Sequence, residues 1–221
     1  MKDDPIVIAI DGTSASGKST AARLAAKTLH YAYIDTGAMY RSLAWYCVKN
    51  GVDVNDRAAV TRACRSWKTT LQCEDGPACQ VRMLVGGYFP EKEIRTPEVT
   101  TAASHVASAP KVREWMKKKQ RECIRFGNLV MEGRDIGTNV FPETDFKFFL
   151  DASLSERKRR RQAEGVQDNL AARDERDSQR AAAPLMIALG AFFIDTSGQT
   201  PEQTNRIIMA EFKKRLAERK R

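Results

Sequence analysis

The chain has 221 residues, 42% hydrophobic and 29% charged, which are globular proportions and exclude a collagen-like or wholly disordered chain. Lysine and arginine (37) outnumber aspartate and glutamate (28), and the resulting +9 points to an anionic partner such as a nucleotide, nucleic acid or anionic lipid. No run approaches the roughly 20 apolar residues of a membrane helix, and the opening MKDDPIVIAIDG is too acidic and too briefly apolar for a secretory signal. Cys47, Cys64, Cys73, Cys79 and Cys123 form no Cys-x-x-Cys pair, and the histidines are only His30 and His105. A zinc site is therefore unsupported, and reduced thiols in a cytoplasmic protein are expected.

Ile6 to Ile10 is a short β-branched run and reads as a strand buried on both faces. Gly12-Thr13-Ser14-Ala15-Ser16-Gly17-Lys18-Ser19 then leads into a helix from Lys18 to Leu29. Tyr31 to Ile34 reads as a second strand. A helix follows from about Ala38 to Asn50, stopped by Gly51, and another from Arg57 to Trp67. The texture changes at Thr69. Thr69 to Glu74 and Cys79 to Val85 read as short strands about the turn Asp75-Gly76-Pro77, and residues 69–96 form a small insertion.

Helices resume at Pro97 to Ser108 and Pro110 to Arg125, each opened by a proline suited to a first turn. Leu129 to Met131 and Phe146 to Leu150 are further core strands. Helices from Ser153 to about Glu164 and from about Asn169 to Ala183 come next. Phe192 to Ile194 is a last strand and Pro201 to Arg221 a last helix. The sum is an α/β chain: a three-layer core with a parallel sheet, made of residues 1–68 and 97–221, carrying the 69–96 insertion.

Gly12-x-x-x-x-Gly17-Lys18-Ser19 is a P-loop. Its glycines let several backbone N–H groups point at one anion, and the helix N-terminus adds its positive end. Lys18 supplies charge to the β- and γ-phosphates, and the Ser19 hydroxyl can hold Mg²⁺. No Asn-Lys-x-Asp guanine motif is present, so a small-molecule kinase fits better than a hydrolytic switch.

Arg173, Arg176, Asp177 and Arg180 fall at i, i+3, i+4 and i+7 and share a helical face. That face is either an anion-binding stripe or a solvated ion-pair surface. Arg157, Arg160 and Arg161 share another face, either a lid over ATP or a basic surface. Glu132-Gly133-Arg134-Asp135 follows a strand, where ligand sites of open α/β sheets lie.

IDGTSASGKST, YIDTGAMYR, EIRTPEVTTAASHVAS, PKVREW, EGRDIGTNVFP, KFFLDAS, RDERDSQR and FIDTSGQTPEQ, in this order over nearly the whole length, resemble the bacterial cytidylate kinase family of nucleoside monophosphate kinases. The resemblance implies transfer of the ATP γ-phosphate to CMP or dCMP with Mg²⁺, a monophosphate-binding insertion at 69–96 and a helical lid at about 154–172. It implies ATP contacts from Gly12, Ser14, Ala15, Ser16, Gly17, Lys18, Ser19, Thr20, Arg157, Arg160 and Arg161.

For CMP it implies a substrate contact at Thr36, a phosphate arginine at Arg41, and neighbouring contacts from Tyr40 and Arg95. Ser104 and Arg113 match residues that select cytosine. Gly133, Arg134 and Asp135 match the phosphate and sugar site, with Asp177 as the other sugar-binding acid. Lys18, Arg134, Arg173 and Arg180 are the implied catalytic cations. The chain departs from many relatives at Thr13, where they carry proline, at Glu132, where they carry aspartate, and in a shorter stretch between Arg161 and Arg173. A monomer is implied, with no nucleic-acid or membrane partner. A UMP, AMP or shikimate kinase, or a nucleic-acid-binding protein using the basic surface, remain the alternatives.

Overall fold

The computed structural model describes residues 4–74, 79–165, 169–180 and 182–219. Among them, seven strands join in one sheet: β1 (Val7–Gly12), β2 (Ala32–Asp35), β3 (Thr69–Glu74), β4 (Gln80–Val85), β5 (Leu129–Gly133), β6 (Phe146–Asp151) and β7 (Phe192–Asp195). Their order is β3-β4-β2-β5-β1-β6-β7, and every pair is parallel except β3 with β4.

The central strand β1 is buried at every position, as its unbroken apolar run requires. Its residues alternate between two cores. Ile8 and Ile10 face α1 (Lys18–Leu29) and α8 (Pro201–Arg219), with Phe146, Phe148 and Phe212 in the same cluster. Val7 and Ala9 face the opposite core, which draws on α2 (Thr36–Lys49), α3 (Arg57–Ser66), α4 (Pro97–Val106) and α5 (Pro110–Arg121). The expected three-layer α/β core is therefore present. No helix among the described residues is long and apolar enough to cross a membrane.

Some boundaries differ from the sequence reading for local reasons. Helix α2 begins at Thr36 rather than Ala38, because Asp35 caps it with Oδ1 accepting the Ala38 N–H at 2.8 Å. The helix expected to reach Arg125 ends at Arg121 and tightens into a 3₁₀ turn, Glu122–Phe126. The helix expected from Asn169 to Ala183 is α7 (Leu170–Ser178), opened by the Asn169 side chain, and the Leu185 N–H folds back onto the Asp177 carbonyl at 2.9 Å. Helix α6 spans Leu154–Ala163; residues 166–168 of the expected lid lie outside the described residues.

Residues 69–96 begin with the β3–β4 hairpin, which extends the main sheet through the pairs Tyr33↔Gln80 and Ile34↔Val81. The expected turn Asp75-Gly76-Pro77 lies outside the described residues. The expectation of uniformly reduced thiols is corrected here. The antiparallel register brings Cys73 and Cys79 together with Cα atoms 5.5 Å apart, and they form a disulfide. Cys47, Cys64 and Cys123 are buried and free, and burial pushes their thiols up to about 11, 12 and 12.

Gly12, Asp35, Gly133, Asp151 and Asp195 are the last residues of β1, β2, β5, β6 and β7, five neighbouring parallel strands. They line one edge of the sheet, and the polar groups of the motifs converge there.

Candidate active site

The P-loop leaves β1 at Gly12, where a Cβ would overlap the Leu150 carbonyl of the adjacent strand. Ala15 (φ 60°) and Gly17 (φ 83°) adopt the left-handed conformation that curls the loop's amides inward. Ser16 Oγ and Lys18 Nζ both donate to the Thr13 carbonyl at 3.0 Å, and Thr13 Oγ1 donates to Asp151 Oδ1 at 2.6 Å. Lys18 is buried. Burial and the positive Arg134 and Arg173 lower its pKa to about 7, against the pull of Glu132 and Asp35. This cation favours a bound anion, whose charge would offset both desolvation and repulsion. Ser19 is half-buried in the first turn of α1, and Thr20 faces solvent.

Three of the four arginines of α6 reach this loop. Arg157 is buried, donates to the carbonyls of Ala152 (3.0 Å) and Ser14 (3.2 Å), and pairs with Asp174. Arg160 donates to the Ala15 carbonyl at 3.3 Å and to the Thr196 carbonyl at 2.6 Å. Arg161 donates to Ser14 Oγ at 3.4 Å and pairs with Glu164 at 2.7 Å. Asp174 on α7 also accepts the Ser14 N–H at 3.3 Å, so a carboxylate occupies one of the inward amides of the loop.

The second half of the site surrounds the ends of β2 and β5. Arg41 pairs with Asp35 at 3.0 Å. Burial opposes ionisation of Asp35, but Arg41, the Ala38 N–H and the more distant Arg95 hold its carboxyl below the usual range. Thr36 Oγ1 donates to the Glu132 carbonyl at 2.7 Å. Gly133 must be glycine here, since a Cβ would sit 2.6 Å from Thr36 Oγ1 and 2.7 Å from Ile136 Cδ1. The buried Glu132 carboxylate accepts from Tyr33 OH at 3.1 Å.

Asp177 is the hub of the arginine cluster. It accepts from Arg134 Nε at 2.8 Å and pairs with Arg180. Burial opposes its ionisation, yet Arg134 and Arg180 keep it below the carboxylate norm. Arg113 on α5 donates to Asp135 Oδ2 at 2.6 Å and to the Ala107 carbonyl at 3.3 Å, with the Tyr40 ring 5.6 Å from its guanidinium. The buried Nε atoms of Arg41 and Arg113 have no acceptor among the described residues. Arg173, half-buried on α7, lies close enough to act on both Lys18 and Asp177. Ser104 is half-buried on α4, and Arg95 is exposed at the end of a 3₁₀ turn. Arg176 departs from the expected shared stripe. It is exposed and folds back onto the Ala172 carbonyl at 3.1 Å.

Residues outside the expected set hold this site together. Asp11, Asp35, Glu132, Asp174 and Thr196 all contact its loops or its arginines. Asp35 and Glu132 stand next to quoted motif residues at strand ends, a signal that could have found them. Asp174 and Thr196 also stand inside quoted motifs, but their partners on the P-loop, 160 and 180 residues away, are not legible from those motifs. A hollow of about 470 Å³ between α2 and α4, lined by Val48, Pro97 and His105 among others, lacks the converging arginines of the strand ends.

The arrangement offers two adjoining anion sites, one on the P-loop and one among the arginines of β5, α5 and α7. Comparison with known proteins gives this geometry a family. Residues 8–214 match the model of the cytidylate kinase family. A cytidylate kinase of Geobacillus thermodenitrificans (strain NG80-2) is 42% identical over 96% of this chain and 98% of its own. One from Anoxybacillus flavithermus (strain DSM 21510 / WK1) is 40% identical over 96% of this chain and 97% of its own. The bifunctional pantoate ligase/cytidylate kinase of Acaryochloris marina (strain MBIC 11017) is 40% identical over 96% of this chain, which spans only 43% of that longer relative. With the family model spanning most of the chain, and stand-alone relatives matched from end to end, this chain belongs to the cytidylate kinase family.

Proposed function

We propose that the chain transfers the γ-phosphate of ATP to CMP or dCMP, giving CDP or dCDP and ADP. The observation that carries this reading is the pair of adjoining anion sites: Lys18 lies close enough to Arg134 and Arg173 for their charges to lower its pKa. Both reacting groups are anions, and a phosphate monoester carries roughly −1.5 to −2 at neutral pH. Lys18, Arg134, Arg173 and Arg180 would lower their repulsion and hold the oxygens in line. No general base is needed, because the attacking phosphate oxygen is already ionised.

On the ATP side, the loop from Gly12 to Thr20 would cradle the phosphates, and Arg157, Arg160 and Arg161 would bear on the nucleotide. On the CMP side, Thr36, Tyr40, Arg41, Arg95 and Gly133 would frame the phosphate, Asp135 and Asp177 the sugar, and Ser104 with Arg113 the base. Mg²⁺ suits the hard oxygen donors here, the Ser19 hydroxyl foremost; bound with ATP, it would draw charge from the β- and γ-phosphates. The stretch 69–96 acts as the monophosphate-binding insertion and about 154–172 as the lid, whose closure excludes water so that CMP receives the phosphate. A cytoplasmic monomer completes the proposal.

The test is ADP formation with MgATP and a panel of CMP, dCMP, UMP, AMP and shikimate. Turnover with CMP or dCMP ahead of the others is expected, and its absence overturns the proposal.

A further inference from the structure

Asp11 is the penultimate residue of β1 and is 3% exposed. Its Oδ1 accepts the Ile136 N–H at 2.8 Å and its Oδ2 the Gly137 N–H at 2.7 Å. Those amides open the single π-helical turn Ile136–Val140, directly after Arg134 and Asp135. The first amides of any helical turn have no partner within it and need an acceptor from outside. Aspartate at the N-cap normally supplies one from its own side chain. Asp135 occupies that N-cap position and does not. Its Oδ2 is engaged instead with Arg113 Nη2 at 2.6 Å and Asn139 Nδ2 at 2.9 Å. The register Asp11↔Gly133 brings the donor strand beside this loop.

We propose that Asp11 is the positioning residue of the CMP-binding loop: by capping the 136–140 turn from a neighbouring strand, it leaves the Asp135 carboxylate turned toward Arg113 and the sugar of CMP. This rests on the reading of Asp135 as a CMP contact. Without the Asp11 carboxylate, the two buried amides would recruit Asp135, the nearest acid, back to an ordinary cap. Its bond to Arg113 would then be lost. Both Asp11 oxygens are taken by the Ile136 and Gly137 amides, while the P-loop amide of Ser14 has its own partner in Asp174.

The experiment is a double-mutant cycle between Asp11→Asn and Asp135→Ala, read as separate KM values for CMP and ATP together with thermal melting. Asp11→Asn retains one acceptor oxygen, which protects the fold. It is expected to raise the KM for CMP about tenfold while that for ATP changes by less than about twofold. In the Asp135→Ala background the same substitution is expected to add less than about twofold, because coupled residues are non-additive. Equal rises in both KM values, an unchanged KM for CMP, or full additivity would each overturn the proposal. If Asp135→Ala alone leaves the KM for CMP unchanged, the reading of Asp135 itself fails. If Asp135→Ala raises it and Asp11→Asn does not, only the role of Asp11 fails. Should Asp11→Asn not fold, Asp11→Ser, with a hydroxyl acceptor, is held to the same outcomes.

Discussion

The arginines over the P-loop and those around the second anion site are held by different kinds of partner. On α6, the acids are mostly neighbours in the same helix. Glu156 serves Arg159 and Arg160, and Glu164 serves Arg161, in i,i+3 and i,i+4 pairs with at least one exposed or half-exposed member. Such pairs contribute little stability, at most about 1 kcal/mol. What fixes Arg157 and Arg160 is their hydrogen bonding to carbonyls of Ser14, Ala15, Ala152 and Thr196. Around the second site, Arg180 and Arg41 also pair with near neighbours, Asp177 and Asp35, but Arg113 and Arg134 meet acids 22 and 43 residues away. Arg113 meets Asp135 with side chains 5% and 8% exposed, and Arg134 meets Asp177 with Asp177 3% exposed. Buried pairs of this kind are expensive to desolvate and are weak evidence for stability. Their presence together with the orphaned Nε atoms of Arg41 and Arg113 is consistent with a site shaped for an anionic ligand. One arginine group shapes a loop; the other would serve the proposed CMP site as a preorganised receptor.

The sharpest way to break this comparison is at Lys18, which belongs to both halves. Lys18→Met is expected to lower kcat by about a thousandfold or more, while the ligand-free protein melts at a higher temperature, since a buried cation among arginines is removed. The sign for pH follows. The folded value of about 7 lies below the ordinary 10.5, so the unfolded chain binds more protons between them. Stability of the ligand-free parent should rise with pH across that window through this group, and Lys18→Met should remove the rise. Melting curves at pH 7 and 9 check both.

Asp177→Asn comes next. It leaves Arg134 and Arg180 short of their carboxylate, so kcat/KM for CMP should fall about a hundredfold and urea unfolding should show about 3 kcal/mol lost. The lowered pKa of Asp177 means this stability is present above the ordinary carboxylate range and is lost as pH falls through the folded value. Arg157→Ala should raise the KM for ATP about tenfold and leave that for CMP alone. A matching rise for CMP would show that the two halves are not separable. The smallest effect belongs to Asp174→Asn. Removing the charge that accepts the Ser14 amide should lower the KM for ATP about twofold, as one competitor for the loop becomes neutral. A large rise would mark Asp174 as a support for Arg157 instead.

Legibility followed the range of the interaction. The strand at Ile6 to Ile10, the P-loop and the helix at Lys18 are local patterns; the helix begins as read, and the strand is present as Val7–Gly12, running on into the P-loop's first glycine. The start of α2 differed because Asp35, a cap and an ion-pair partner at once, sits one residue before the helix. Helix propensity continues through the alanines after Arg180, yet α7 ends at Ser178, where the Asp177 carbonyl accepts the returning Leu185 N–H. Spacing groups Arg176 with Arg173 and Arg180, yet Arg176 sits inside α7 with its side chain turned to solvent, and Arg180 lies past the helix end at Ser178 and still reaches Asp177.

The sequence by itself determined the α/β class, the family and most of the charged side chains the site would use, because motif residues and their spacing are written along the chain. Only the tertiary structure decided how those charges are partnered: Asp177 between Arg134 and Arg180, Asp135 under Arg113, Asp174 on the P-loop, and Asp11 beneath the 136–140 turn. Such partnerships depend on which strand ends lie side by side, and the sheet order β2-β5-β1-β6 sets that through crossovers no local pattern encodes.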